Sequence, residues 1–122
     1  MAKTKVFVSF DFEHDATLKE TLVGQSKLPD SPFSINDMSL KEKTPEWQQK
    51  ARLAIERCEV FIVLLGDYTF QAQGVLREVR MAIELNKRRF QLRKKGQWPK
   101  SLKGPGDVTT WKWKNLQKWL TK

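Results

Sequence analysis

A glutamate that follows a buried strand is the residue best placed for chemistry in this sequence. Residues 60–65 (Val-Phe-Ile-Val-Leu-Leu) are apolar without alternation, which is typical of a strand buried on both faces of a parallel sheet. Gly66 ends that run, and Glu78 lies on the segment of helical periodicity that comes next. Because open α/β sheets bind ligands at the carboxyl edge of their strands, we predict a site at this edge that contains the Glu78 carboxylate.

Further candidates follow each predicted strand at the same edge. They are Ser9, Phe10 and Asp11 after the first strand, Asp37 and Ser39 after the second, and Thr69 after the third. Each has a plainer interpretation: core packing and a turn acid after the first strand, an Asx-type turn after the second, and a helix cap for Thr69. The plainer interpretation of Glu78 is a surface residue between Arg77 and Arg80.

Several classes of site are absent from the sequence. There is no Cys/His cluster, no P-loop and no G-x-G-x-x-G, which argues against a zinc site, ATP-dependent phosphoryl transfer and Rossmann-type hydride chemistry. We therefore predict no metal. The isolated His14 precedes a helix, which makes a role as a metal ligand or base improbable, and the single Cys58 is interpreted as a small buried apolar residue.

Strands and helices alternate along the chain. The predicted strands are 6–10, 33–36, 60–65, 90–92 and, at an edge, 108–110; the predicted helices are 16–23, from about 44 to 57, the segment that carries Val75 to Ile83, and 113–120. Thr44, Pro45 and Glu46 are a good helix opening, and Gly24 is a plausible helix stop. Such alternation predicts a flavodoxin-like αβα sandwich with a parallel sheet of order 2-1-3-4-5, in one domain over residues 1–122.

Positive charge is concentrated in the last third of the chain. Residues 85–122 hold 12 Lys and Arg against one Asp, whereas residues 1–84 hold 11 against 13 Asp and Glu. The candidate polyanion patch is Arg88, Arg89, Arg93, Lys94 and Lys95. Four of the five tryptophans lie in this basic part, as in binders of single-stranded nucleic acid. However, Trp113, Leu116 and Leu120 have helical spacing, so the segment 94–122 is predicted to pack on the domain and a solvated lysine-rich face remains the simpler interpretation.

The order of these segments resembles the TIR-like family, the small bacterial and archaeal domains related to Toll/interleukin receptor modules. The matching segments are V-F-V-S-F followed by Asp15, then F-S-I-N-D-M-S-L, then V-F-I-V-L-L-G-D-Y-T-F with Val75-x-x-Glu78, and the closing W-K-W-K-N-L-Q-K-W-L. Together they extend from about Lys5 to Leu120. The position four before the glutamate is often Trp in active members, and here it is Gly74.

The resemblance implies either cleavage of NAD+ or a non-catalytic adaptor role. In the family's enzymes a glutamate at the position of Glu78 is essential, and some members, including the signalling subunits of Thoeris anti-phage systems, make cyclic ADP-ribose isomers that activate an effector. It also implies that residues 37–43 form a mobile loop that gates the pocket and makes contacts between TIR domains. A carboxylate suits this reaction because cleavage of the nicotinamide–ribose bond develops positive charge on the ribose.

Three functions follow, in order of preference. The first is a TIR-like domain that takes NAD+ as substrate, needs no other cofactor and forms an ADP-ribose-type signal in anti-phage defence. The second is a non-catalytic TIR-like interaction module, which Gly74 favours. The third, ranked last, is a nucleic-acid-associated domain that uses the basic residues. The single cysteine, the strand that begins almost at the N-terminus and the lack of an apolar run of about 20 residues predict a cytoplasmic protein without membrane contact.

Overall fold

The computed structural model describes residues 3–36 and 46–121. The strands in this part of the chain are β1 (Thr4–Ser9), β2 (Phe33–Ile35), β3 (Val60–Leu65), β4 (Arg88–Lys94) and β5 (Val108–Trp111). The helices are α1 (Ala16–Ser26), α2 (Trp47–Arg57), α3 (Gln73–Glu84) and α4 (Trp113–Leu120), and a 3₁₀ turn spans Thr69–Gln71. Every strand pair is parallel, and the order in the sheet is β2-β1-β3-β4-β5. The predicted flavodoxin-like architecture is therefore confirmed.

The unbroken apolar run of β3 supplies both cores of the sandwich. Val60, Ile62 and Leu64 pack with α1 and α4 on one face of the sheet. The alternate residues Phe61 and Val63 pack with α2 and α3 on the other face. Since side chains alternate across a strand, a central strand covered on both faces must be apolar at every position. This requirement explains why the pattern of β3 has no polar alternation.

The ends of several elements differ from the prediction. Helix α1 continues through Gly24 to Ser26, because Gly24 has a negative φ and so does not form a left-handed cap. The helix ends instead where the Ser26 hydroxyl donates to the Val23 carbonyl oxygen at 2.6 Å. Strand β4 is longer than predicted because its polar ends still pair with β3. The predicted cap at Thr44 and Pro45 lies outside the described residues, and α2 begins at Trp47.

The connection from β4 to β5 contains no helix among the described residues, and a buried glutamine holds it in place. The Gln91 side-chain amide donates to the carbonyl oxygens of Leu102 and Gly106, at 3.0 and 2.8 Å. Its oxygen accepts from the Leu102 N–H at 2.8 Å. These three bonds keep the connection against the sheet on the side of α2 and α3, where Leu102 packs on the core.

Helix α4 closes the face of the sheet opposite α3. Leu116 and Leu120 are buried in the same core as α1, and Trp111, Trp113 and Trp119 pack partly buried against it. The helical spacing predicted for this segment is confirmed. Trp98 is the exception among the tryptophans of the basic part, because it is 80% exposed.

Candidate functional site: a cleft at the topological switch point

A cleft of about 500 Å³ opens where the chain leaves β1 and β3 in opposite directions. After β1 the chain continues through α1 to β2, and after β3 it continues through α3 to β4 on the other face. Such divergence leaves a crevice at the carboxyl ends of the two strands, where ligands of this fold class bind. The walls are residues 10–14 on one side and Tyr68 with residues 71–75 on the other. The volume lies within the range of small-molecule sites.

A buried carboxylate–hydroxyl pair adjoins residues of this cleft, although neither member of the pair lines it. The Ser9 hydroxyl donates to Oε1 of Glu78 at 2.7 Å, and the exposed fractions of the two residues are 0% and 1%. Ser9 ends β1 and directly precedes Phe10 of the cleft wall. Glu78 lies three residues beyond Val75, or about 4.5 Å along the helix axis. Glu78 is therefore not a surface residue, although its neighbours Arg77 and Arg80 are exposed.

Glu78 is buried because it lies on the face of α3 that packs against the sheet. The buried residues of α3 are Val75, Glu78, Val79 and Ala82, so one carboxyl side chain interrupts an otherwise apolar face. Ile83, near the end of the helix, is 42% exposed although it is apolar. A carboxylate within a helix stripe needs polar partners, because an unpaired buried charge is costly. Ser9 is one such partner, contributed from 69 residues away.

A second polar cluster fixes the two walls of the cleft to each other. The Thr69 hydroxyl lies 3.2 Å from Oδ2 of Asp15 and 3.3 Å from the Leu64 carbonyl oxygen, and it accepts from the Gly66 N–H at 2.8 Å. Gly66 leaves room for this arrangement, since a Cβ at that position would overlap the Asp15 carboxylate. Burial raises the pKa of Asp15, an effect that the hydrogen bond from Thr69 partly offsets.

The wall formed by residues 10–14 presents an aspartate, a histidine and two aromatic rings. His14 Nδ1 lies 2.6 Å from Oδ2 of Asp11, and the His14 ring packs on Tyr68 with the ring centroids 4.4 Å apart. The hydrogen bond with Asp11 raises the pKa of His14. Phe10 and Phe12 stack with centroids 5.6 Å apart. The cleft thus combines flat apolar surface with a histidine that its neighbour holds toward the protonated form.

The opposite wall includes the first turn of α3. Ala72 precedes the helix and makes no side-chain cap, and residues 72–75 line the cleft. The first backbone N–H groups of a helix lack intrahelical partners and attract anionic groups. Gly74 adds no side chain to this wall, so the backbone of the turn borders the cleft directly.

The predicted site residues divide into three groups. Glu78 and Ser9 are brought together beside the cleft without lining it, whereas Phe10 and Asp11 line it, with Asp11 7% exposed. Thr69 is fully buried and joins the two walls instead of lining the cleft. Asp37 and Ser39 lie outside the described residues.

The sequence interpretation missed His14, Tyr68 and Phe12. Their signal was the run Asp11-Phe12-Glu13-His14, in which an acid and a histidine three residues apart share one turn. Nothing local shows that the tyrosine after β3 packs on that histidine, because the contact spans 54 residues.

The five cations of the predicted polyanion patch occupy both ends of β4. Arg88 donates to the Trp119 carbonyl oxygen on the α4 side, and Arg89 donates to the Gly104 carbonyl oxygen at 2.7 Å on the opposite side. Arg93 and Lys94 end the strand and Lys95 follows it, four to seven residues or roughly 13–23 Å along the strand from the first pair. The five residues therefore do not form one continuous patch.

Other chemistry can be judged from the described residues. Within residues 3–36 and 46–121, no group of His, Cys, Asp and Glu side chains is arranged to hold a metal ion. No helix in that part of the chain has the length and apolarity needed to cross a membrane. Cys58 is buried, and its burial raises the pKa of the thiol to about 11, so it is not an activated nucleophile.

Comparison with known proteins finds no protein-family model and no curated protein that matches this chain.

Proposed function

We propose that this protein is a TIR-like domain that binds NAD+ in the switch-point cleft and cleaves its nicotinamide–ribose bond. The observation that carries the proposal is the buried Ser9–Glu78 pair, which adjoins the cleft. This carboxyl group interrupts the otherwise apolar buried face of α3. Buried ionisable groups beside a cleft are candidates for function. The sequence resemblance adds that Glu78 matches the family's essential glutamate.

In the proposed reaction, the bond between ribose C1′ and the nicotinamide nitrogen breaks, and its electron pair leaves with neutral nicotinamide. The ribosyl centre becomes cationic, and the Glu78 carboxylate stabilises it electrostatically. Water then attacks C1′ and releases a proton, yielding ADP-ribose, or an adenine nitrogen attacks C1′ and the adenine releases a proton, yielding a cyclic ADP-ribose. Attraction between opposite charges is stronger where bulk water is excluded.

The walls of the cleft provide the remaining contacts that a dinucleotide needs. Its pyrophosphate is complementary to the first turn of α3 and to protonated His14. Phe12 and Tyr68, exposed at the rim, offer faces on which a base can stack. The acids Asp11 and Glu13 suit ribose hydroxyls and the positive charge of the nicotinamide ring.

A second function is favoured by the depth of Glu78. The carboxylate does not itself line the cleft, and Gly74 stands where active members of the TIR-like family often have Trp. On this view the domain is a non-catalytic TIR-like interaction module.

The first proposal, cleavage of NAD+, also includes a cellular role. The protein would act in the cytoplasm, and its ADP-ribose-type product would signal to an effector in anti-phage defence.

The test measures, by chromatography, the nicotinamide released from NAD+ at high protein concentration. Glu78→Gln is expected to lower the rate at least about a hundredfold. Glu84→Gln is the matched control, since Glu84 lies on the same helix but is exposed and pairs with Arg52 at 2.8 Å. Release that is unchanged in Glu78→Gln would refute the assignment of this residue. Absence of release from the unmodified protein, together with self-association, would favour the interaction module.

A further inference from the structure

The carboxyl end of β4 carries an exposed cation–aromatic surface that the proposed reaction does not use. Arg93 lies over the ring of Trp98, with the guanidinium carbon 3.7 Å from the ring centroid. Trp98 is nevertheless 80% exposed, so a large part of the indole remains open to solvent. Lys94 and Lys95 are exposed beside this pair. We name Phe70, Arg93, Lys94, Lys95, Trp98 and Lys100 the β4-edge surface.

A tight turn builds the pairing of Arg93 with Trp98. The Gln97 N–H donates to the Lys94 carbonyl oxygen at 3.0 Å, and Gly96 has a φ of 82°, which glycine adopts without strain. The turn folds the chain back so that the Arg93 guanidinium also donates to the Gln97 carbonyl oxygen at 3.1 Å. Arg93 is thus held in place by its own turn before any ligand binds.

The surface continues toward the cleft through a second cation–aromatic contact. Lys100 Nζ lies 4.9 Å from the centroid of the Phe70 ring, and Phe70 directly precedes Gln71 of the cleft wall. Leu102, bonded to the buried Gln91, anchors the chain just beyond Lys100. The cations and rings are therefore carried by a segment that is fixed at both ends.

The segment that carries Trp98 has charge of one sign. Residues 93–102 include four Lys and Arg and no Asp or Glu. A patch of lysines alone would attract any polyanion. An open indole backed by a guanidinium adds a platform for a flat π-system, which nucleobases supply and carboxylate side chains do not.

We propose that the β4-edge surface binds single-stranded nucleic acid, with a base stacked on the open face of Trp98 and phosphates on the surrounding cations. A single strand is required because its bases are free to leave the stack and lie on a protein ring. Arg93 both neutralises phosphate charge and extends the stack by its contact with the indole. The site is separate from the Ser9–Glu78 pair, so oligonucleotide binding does not depend on Glu78.

The test is fluorescence anisotropy of labelled 12-nucleotide oligo-dT and oligo-U with the full chain. Trp98→Ala is expected to weaken binding about 5- to 100-fold, as loss of one stacked base does, while Trp98→Phe retains most of the affinity. With four phosphate contacts, the slope of log K against log salt is expected to be about −2.8. The double charge reversal Lys94→Glu with Lys95→Glu should make that slope shallower by about 1.4. Lys50→Glu, an exposed site on α2, is the control and should leave the slope unchanged.

Three results would overturn the proposal. The first is affinity that Trp98→Ala leaves unchanged, and the second is a slope that the double reversal does not alter. The third is binding of a poly-glutamate peptide without binding of either oligonucleotide, which would assign the surface to an acidic protein. Binding that persists in Glu78→Gln is expected, and it separates this site from the proposed NAD+ site.

Discussion

The Ser9–Glu78 hydrogen bond offers the sharpest test of the buried site. Ser9→Ala removes the hydroxyl that donates to the carboxylate at 2.7 Å and opens almost no cavity. A bond to a charged acceptor contributes about 1.5–3 kcal/mol, against about 0.5–1.5 kcal/mol for a neutral pair. We therefore expect Ser9→Ala to lower the free energy of unfolding by about 1.5–3 kcal/mol in the unmodified protein.

The same change should cost less when the carboxylate is absent. In the Glu78→Gln background the Ser9 hydroxyl donates to a neutral amide oxygen, so Ser9→Ala is expected to cost only about 0.5–1.5 kcal/mol. The difference between the two backgrounds is the coupling energy of the charged bond. Ser31→Ala provides a neutral reference in which two bonds are lost, because this buried hydroxyl donates to the Phe33 carbonyl oxygen at 2.9 Å and accepts from the Phe33 N–H at 3.2 Å.

Urea unfolding followed by tryptophan fluorescence measures all four proteins of the cycle and the Ser31 control. The reasoning is refuted if Ser9→Ala has the same cost with and without the carboxylate, since the loss would then arise from packing alone. Native circular dichroism spectra of each variant would show that the fold is retained.

Two other parts of the structure give further expected outcomes. His14 is the single histidine of the chain, so its C2–H proton resonance should titrate with a pKa above 6.5, and Asp11→Asn should lower that pKa. Since folding raises this pKa, the pair contributes its full stabilisation at pH values below the pKa of His14 in the unfolded chain, and the stabilisation is lost as pH rises through the pKa of His14 in the folded protein. A His14 pKa that Asp11→Asn leaves unchanged would contradict the contact. Gly66→Ala should destabilise by about 1–3 kcal/mol, because the new Cβ displaces the Asp15 carboxylate. Gly24→Ala should instead stabilise α1 by about 0.5–1 kcal/mol, since open space surrounds Gly24; equal thermal shifts for the two glycines would refute this distinction.

The architecture was predictable because it depends on local patterns. An apolar strand without alternation implies cover on both faces, and strands separated by amphipathic helices imply right-handed parallel connections. Strand β3 carried most of this information, since every residue from Val60 to Leu65 is buried. The boundaries were less predictable, as α1 shows: the helix continues past Gly24 to Ser26, because a glycine ends a helix where its backbone takes the left-handed conformation and Gly24 does not take it.

The site was only partly predictable, for a different reason. The sequence placed Ser9, Asp11 and Glu78 at the carboxyl edge, since that follows from strand order alone. It did not reveal that Glu78 is buried, because Arg77 and Arg80 on either side suggest a solvated helix face. It also assigned no role to His14, whose partner Tyr68 lies in a distant segment.

The sequence by itself determined which residues reach the edge of the sheet, because neighbouring residues show the periodicity of each element and the chain shows the order in which the elements follow one another. The tertiary structure alone decided which of those residues meet: Ser9 with Glu78, Thr69 with Asp15, and Arg93 with an open Trp98. Two of these three contacts join residues more than 50 positions apart, and the third depends on a turn that reverses the chain. Burial and the partners of a charged group are properties of packed surfaces, so no local pattern fixes them.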